Sequence, residues 1–157
     1  MEHDGNNRFQ EFFEEDKYIF LKNFLYNYLL RKNVFEKNLK HENVELILEV
    51  GSGISPVMTK TSSIIYTDLS FTAIKVLRQI HKKGWHVVAD GTKLPFKADV
   101  FSHTLCSEVL EHIRDDVAAI QEFARVIKPA GFLLITFPHR KFYFGIDDRF
   151  VGHYRLY

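Results

Sequence analysis

Three short groups of residues have the types and spacing to do chemistry: Glu49-Val50-Gly51-Ser52-Gly53, Asp68-Leu69, and Asp90-Gly91. Each follows a short apolar run, so each falls where a strand ends. In open α/β sheets ligands bind beyond the carboxyl ends of the strands. Glycines at 51 and 53 let the backbone turn sharply and come close to a ligand with no Cβ in the way. Acidic groups at the next two strand ends can accept hydrogen bonds from ribose hydroxyls and an adenine amine. Together they describe a nucleoside-like pocket that is acidic rather than suited to phosphate. A dinucleotide fingerprint needs a small residue three positions after the second glycine, where this chain has Pro56. A phosphate loop needs glycine directly before Lys-Thr, yet Lys60-Thr61 follows Met58-Thr59.

Other reactive side chains carry weaker signals. His112, in LEHI, reads as a structural cap near the site rather than a base. Cys106 lies on a strand, where cysteine behaves as a small inert hydrophobe. His139, Asp147, Asp148 and His153 match no compact metal-ligand spacing, so no metal is expected and an acceptor-side polar loop is the better reading.

The elements that must position these residues alternate in period. Up to about Lys40, Phe9, Phe12, Phe13, Phe20, Phe24 and Tyr28 recur at helical spacing. This segment, 1–43, is a helical unit that packs on a sheet or closes over it as a lid. Strands are expected at ELILEV, SIIYTD, HVVAD, DVFSHTLCS and GFLLITFP. Helices are expected from Ser55 with Pro56 in its first turn, over FTAIKVLRQIHKK, and over DVAAIQEFARVIK, the last closed by Pro129 and Gly131. This rhythm means βαβ crossovers and a doubly wound, mostly parallel α/β sheet over 44–157.

Composition agrees with one soluble domain. The chain has 157 residues, 46% hydrophobic and 26% charged, with a formal net charge of +1. That near-neutral balance argues against a nucleic-acid partner. No apolar run is long enough to span a bilayer, which argues against a membrane protein. A single cysteine and a polar start, MEHDGNNRFQ, point to a cytoplasmic location.

ILEVGSG, YTDLS, ADGTKLPF, DVFSHTLCSEVLEHI and FARVIKPAGFLLITFP resemble, in order and separation, the motifs of class I S-adenosylmethionine-dependent methyltransferases. The likeness covers about Val44 to Pro138 and is strongest to the small-molecule branch. It implies a Rossmann-like fold, S-adenosylmethionine as cofactor and a small-molecule acceptor. It also implies that Gly51, Ser52 and Gly53 line the methionine part, with Glu49 supporting that loop and facing the amino group. Asp68 would bind the ribose, Leu69 the adenine face, and Asp90 and Gly91 the adenine edge. Cys106 and Ser107 would pass beside the methionine end. Ser55 and Ala130 stand where the family often has glycine. The chain stops at Tyr157, in a segment resembling the lead-in to further elements, so a truncated chain and self-association through a bare fifth-strand edge are expected. A binding module without turnover, a nicotinamide-dependent oxidoreductase and a structural interaction domain stay open as alternatives.

Overall fold

The computed structural model describes residues 26–39 and 44–137. The aromatic stripe before Tyr26, the lid reading and the segment from Pro138 to Tyr157 lie outside the described residues. Helix α1 (Tyr26–Leu39) precedes strand β1 (Ile47–Val50). There follow β2 (Ile64–Asp68), α2 (Phe71–Ile80), β3 (Trp85–Val88), β4 (Phe101–Ser107), a 3-10 turn (Leu110–His112), α3 (Asp116–Val126) and β5 (Ile127–Thr136). The sheet order is β3-β2-β1-β4-β5, and every pairing is parallel. Strand order reverses at β1, so the β1 and β4 ends form the switch point.

β1 is buried on both faces, which is why ILEV reads as a continuous apolar run broken only by Glu49. On one face, Tyr28, Phe35 and Leu39 of α1 pack with Ile47, Ile64, Tyr66 and Leu77. On the other, Ala119, Phe123 and Val126 of α3 pack with Leu48, Val50, Phe101 and Cys106. Helices on both faces confirm the doubly wound reading. The helix starts are built by capping: Ser70 Oγ accepts from the Ala73 N–H, and Asp115 Oδ1 from the Ala118 N–H. α2 stops at Ile80, three residues before the expected end, and the chain turns through Gly84 at φ +80°.

Two expected elements are corrected. No helix forms after Ser55; residues 51–63 are an irregular loop. The Val57 and Met58 N–H groups go to the Glu49 carboxylate, at 2.7 and 3.2 Å. The Pro56 and Met58 carbonyls accept from the Tyr28 and Tyr66 hydroxyls, at 2.8 and 2.7 Å. The tyrosines take two carbonyls that a helix would have paired internally, and α1 fills the sheet face beside them. Nor do Pro129 and Gly131 close a helix. α3 ends at Val126 and β5 begins at once, with a register shift where Ile127 faces Phe101 and Phe132 faces His103. Ala130, at φ +61°, lies in that irregularity.

The two tyrosines make stability pH-dependent. Burial first, and then the Glu49 charge, raise Tyr28 from 10.0 to about 12 and push Tyr66 up as well. A folded pKa above the unfolded one means the native state holds protons that the unfolded chain releases. The contribution is complete below pH 10 and is lost as pH rises through about 12. Tyr28→Phe lowers stability at neutral pH by removing the bond to Pro56, and its alkaline decline is shallower than that of the wild type. Denaturant titrations on either side of pH 10 check this; equal alkaline slopes would exclude Tyr28 as a source.

Candidate functional site

The loop after β1 depends on its glycines. Gly51 and Gly53 have φ +69° and +54°. A Cβ on Gly51 would also lie 2.3 Å from Val109 Cγ2, so glycine is required there for both backbone and space. From this turn the Ser52 N–H donates to the Thr67 carbonyl at 2.9 Å, and the Gly53 N–H to Asp68 Oδ2 at 2.8 Å. The other Asp68 oxygen accepts from the Ser70 N–H at 2.8 Å. The Asp68 carbonyl in turn accepts from the Ala89 N–H at 3.0 Å. One chain of hydrogen bonds therefore ties the ends of β1, β2 and β3 together, and with them all three groups singled out in the sequence.

Around that junction the surface is partly open. Leu69 is 62% exposed beside Asp68. Asp90 is exposed past the end of β3, and its Oδ1 accepts from the Thr92 N–H and hydroxyl, both at 2.8 Å. A Cβ on Gly91 would stand 3.3 Å from Val50 Cγ1 and 3.4 Å from Ile113 Cδ1, so the turn packs close to the β1 end. The hydroxyls of Ser52 and Ser55 are buried and have no hydrogen-bond partner among the described residues. Glu49, 2% exposed, spends both oxygens on the loop backbone from beneath.

At the β4 end, Ser107 Oγ lies 3.0 Å from Thr136 Oγ1. Cys106 is not brought to the site by its side chain. The thiol is buried among Leu48, Val50, Leu110 and Phe123, and burial followed by the Glu111 charge pushes its pKa up. It is an inert core group, and only its backbone runs along the strand end. His112 lies 4.0 Å from Glu111, which is itself buried. Among the described residues no cluster of histidine, cysteine and carboxylate side chains could hold a metal. His139, Asp147, Asp148 and His153 lie outside them.

Sequence reasoning missed three anchors. Glu122 Oε2 accepts from the Leu94 N–H at 2.8 Å, and Arg125 donates to the Phe96 and Leu94 carbonyls at 2.8 and 3.1 Å. The hydrogen bond to Arg125 holds the Glu122 carboxyl below its usual range. This pair pins the LPF segment that follows Asp90 onto α3; its signal was an acid and a base three apart on one helix. Glu108, just past β4, has φ +55° and a carboxylate 3.8 Å from Arg31 of α1. Nothing in the local sequence pointed to that pairing.

The donor set fits an adenosine-bearing ligand. Carboxylates at two neighbouring strand ends are of the type to match hydroxyl and amine donors, the exposed Leu69 side chain offers an apolar face for a flat base, and the Ser52 and Ser55 hydroxyls find no partner among the described residues. Comparison with known proteins agrees. The family described as "Methyltransferase domain" matches residues 48–135, more than half of the chain. A protein of Methanocaldococcus jannaschii, MJ0638, is 31% identical over 102 residues, covering 64% of this chain and 44% of its own length. The ubiquinone/menaquinone biosynthesis C-methyltransferase UbiE of Coxiella burnetii is 28% identical over 93 residues, covering 55% and 37%. The chain thus spans less than half the length of these relatives. The crystal structure of an S-adenosylmethionine-dependent methyltransferase from Thermotoga maritima superposes with a TM-score of 0.72 at 22% identity, over 86% of this chain and 62% of that one. The superposition and the family match converge: the chain belongs to the methyltransferase domain family, the S-adenosylmethionine-dependent methyltransferases of class I.

Proposed function

We propose that the protein binds S-adenosylmethionine beyond the ends of β1, β2 and β3 and directs methyl transfer to a small-molecule acceptor, a reduced quinone ring carbon being the favoured class. The observation that carries the reading is the hydrogen-bond chain from Gly53 through Asp68 to Ala89, which gathers the three strand ends. Asp68 accepts from the ribose hydroxyls, Leu69 covers an adenine face, and Asp90 and Gly91 meet the adenine edge. Gly51, Ser52 and Gly53 line the methionine end with the backbone of Cys106 and Ser107, and Glu49 keeps that loop in shape. When bound, the cofactor supplies a methyl group made electrophilic by its sulfonium charge. The chain's task is then to orient the acceptor and exclude water, and orientation alone is worth about 7–11 kcal/mol. No side chain is assigned a proton-transfer role.

The quinone class is supported by the relatives named for ubiquinone, menaquinone and demethylmenaquinone methylation. The test is incubation of the full chain with methyl-labelled S-adenosylmethionine and either a demethylated naphthohydroquinone or a panel of small amines. Label on the quinone ring carbon is expected. Label on amines alone would overturn the quinone reading, and none on any acceptor would favour a binding module. β5 is one of the two edge strands among the described residues, which supports pairing of its outer edge with a further strand or a second copy of the chain. A reducing, cytoplasmic location fits the lone buried Cys106.

A further inference from the structure

The stretch from Leu69 to Ala89 contains Lys75, Arg78, Lys82 and Lys83 and no aspartate or glutamate, in a chain whose formal charge is only +1. All four cations are exposed, and none forms an ion pair among the described residues. Lys75 and Arg78 lie on the outer side of α2, since Ala73, Ile74 and Leu77 face the core. Lys82 and Lys83 sit on the turn into β3, where Gly84 takes φ +80° and a Cβ would meet the Ile64 carbonyl at 2.7 Å. That turn is flanked by two large apolar side chains facing solvent, Ile80 at 50% and Trp85 at 58% exposure. Burial, with Lys32 beside His81 and Arg78 beside His86, lowers the pKa of both histidines, so the lysines and Arg78 supply the charge near neutral pH.

Two lysines between an exposed isoleucine and an exposed tryptophan combine the two features that hold a protein to an interface. The apolar side chains enter the headgroup boundary, and the cations are drawn to anionic lipid. Neither contribution is strong alone, and their juxtaposition on one tight turn makes them act together. We infer that the α2–β3 turn, Ile80 to Trp85, docks the protein on an anionic lipid surface. Such contact needs no membrane-crossing helix, and among the described residues none is long and apolar enough to be one. The turn lies at the opposite end of β3 from Asp90, so docking leaves the strand ends of the candidate site accessible. The inference is independent of the acceptor assigned above.

Trp85 is the only tryptophan in the chain, so intrinsic fluorescence reads this turn directly. The full chain is titrated with vesicles of phosphatidylcholine, with vesicles of phosphatidylcholine mixed with phosphatidylglycerol, and with single-stranded RNA. A blue shift of Trp85 emission with the mixed vesicles only, reversed by added salt, is expected. Lys82→Glu/Lys83→Glu is expected to weaken that binding by about tenfold or more, with an unchanged melting curve showing that the variant is folded. A shift with RNA and none with anionic vesicles would overturn the inference in favour of a nucleic-acid surface. No shift with either, or equal shifts with neutral and anionic vesicles, would overturn it outright.

Discussion

Replacing Glu49 by leucine is expected to destabilise the protein by about 2–6 kcal/mol, because two backbone N–H groups would be left without acceptors. The carboxylate accepts from Val57 and Met58 at 2.7 and 3.2 Å in a position that is 2% exposed. Water cannot easily replace it there. Leucine fills much of the volume and recovers some apolar contact with Tyr28 and Tyr66, but it offers no acceptor. Glu49→Gln keeps one oxygen and should lose about half as much or less. Because the loop that these bonds shape carries Gly51 and Gly53, Glu49→Leu should also weaken cofactor binding, whereas a distant cavity of similar cost should not. Urea denaturation of the two variants measures the difference. Equal stability of Glu49→Leu and wild type would show that the loop amides do not rely on this carboxylate.

Asp68→Ala is expected to weaken S-adenosylmethionine binding by about tenfold or more, since charge-assisted hydrogen bonds are worth roughly 1.5–3 kcal/mol each. It should also cost stability, because Asp68 receives the Gly53 and Ser70 N–H groups in the protein itself. The two effects are separable. Ser70→Ala removes the cap that accepts from the Ala73 N–H and should lower stability by about 1 kcal/mol while leaving affinity close to that of the wild type. If Ser70→Ala and Asp68→Ala weaken cofactor binding equally, Asp68 acts only by holding the start of α2. If Asp68→Ala alone does so, the cofactor needs its carboxylate, and Asp68→Asn, which keeps an acceptor for the Gly53 N–H, should lose affinity as well if the charge serves the ribose contact.

What could be read from the sequence was local. The buried parallel strands announce themselves as apolar runs, α2 and α3 as amphipathic stretches, and Gly51 and Gly53 mark a turn, where φ proves positive. The acidic strand ends could be placed because each follows a short apolar run. The misses came from distant partners. Residues 54–58 form no helix where Tyr28 and Tyr66 capture the Pro56 and Met58 carbonyls, which no local pattern reveals. The LPF segment is held by Glu122 and Arg125, nearly thirty residues further along. Cys106, read as an inert strand-borne hydrophobe, is that: the pleat turns its side chain into the α3 core.

We propose that the ends of β1, β2 and β3 form an S-adenosylmethionine site. Isothermal calorimetry of the full chain with S-adenosylmethionine, its demethylated product S-adenosylhomocysteine, and NAD tests it most directly. Saturable one-to-one binding of both sulfur compounds and no heat with NAD is the predicted result. Binding of NAD, with no heat from either sulfur compound, would contradict it.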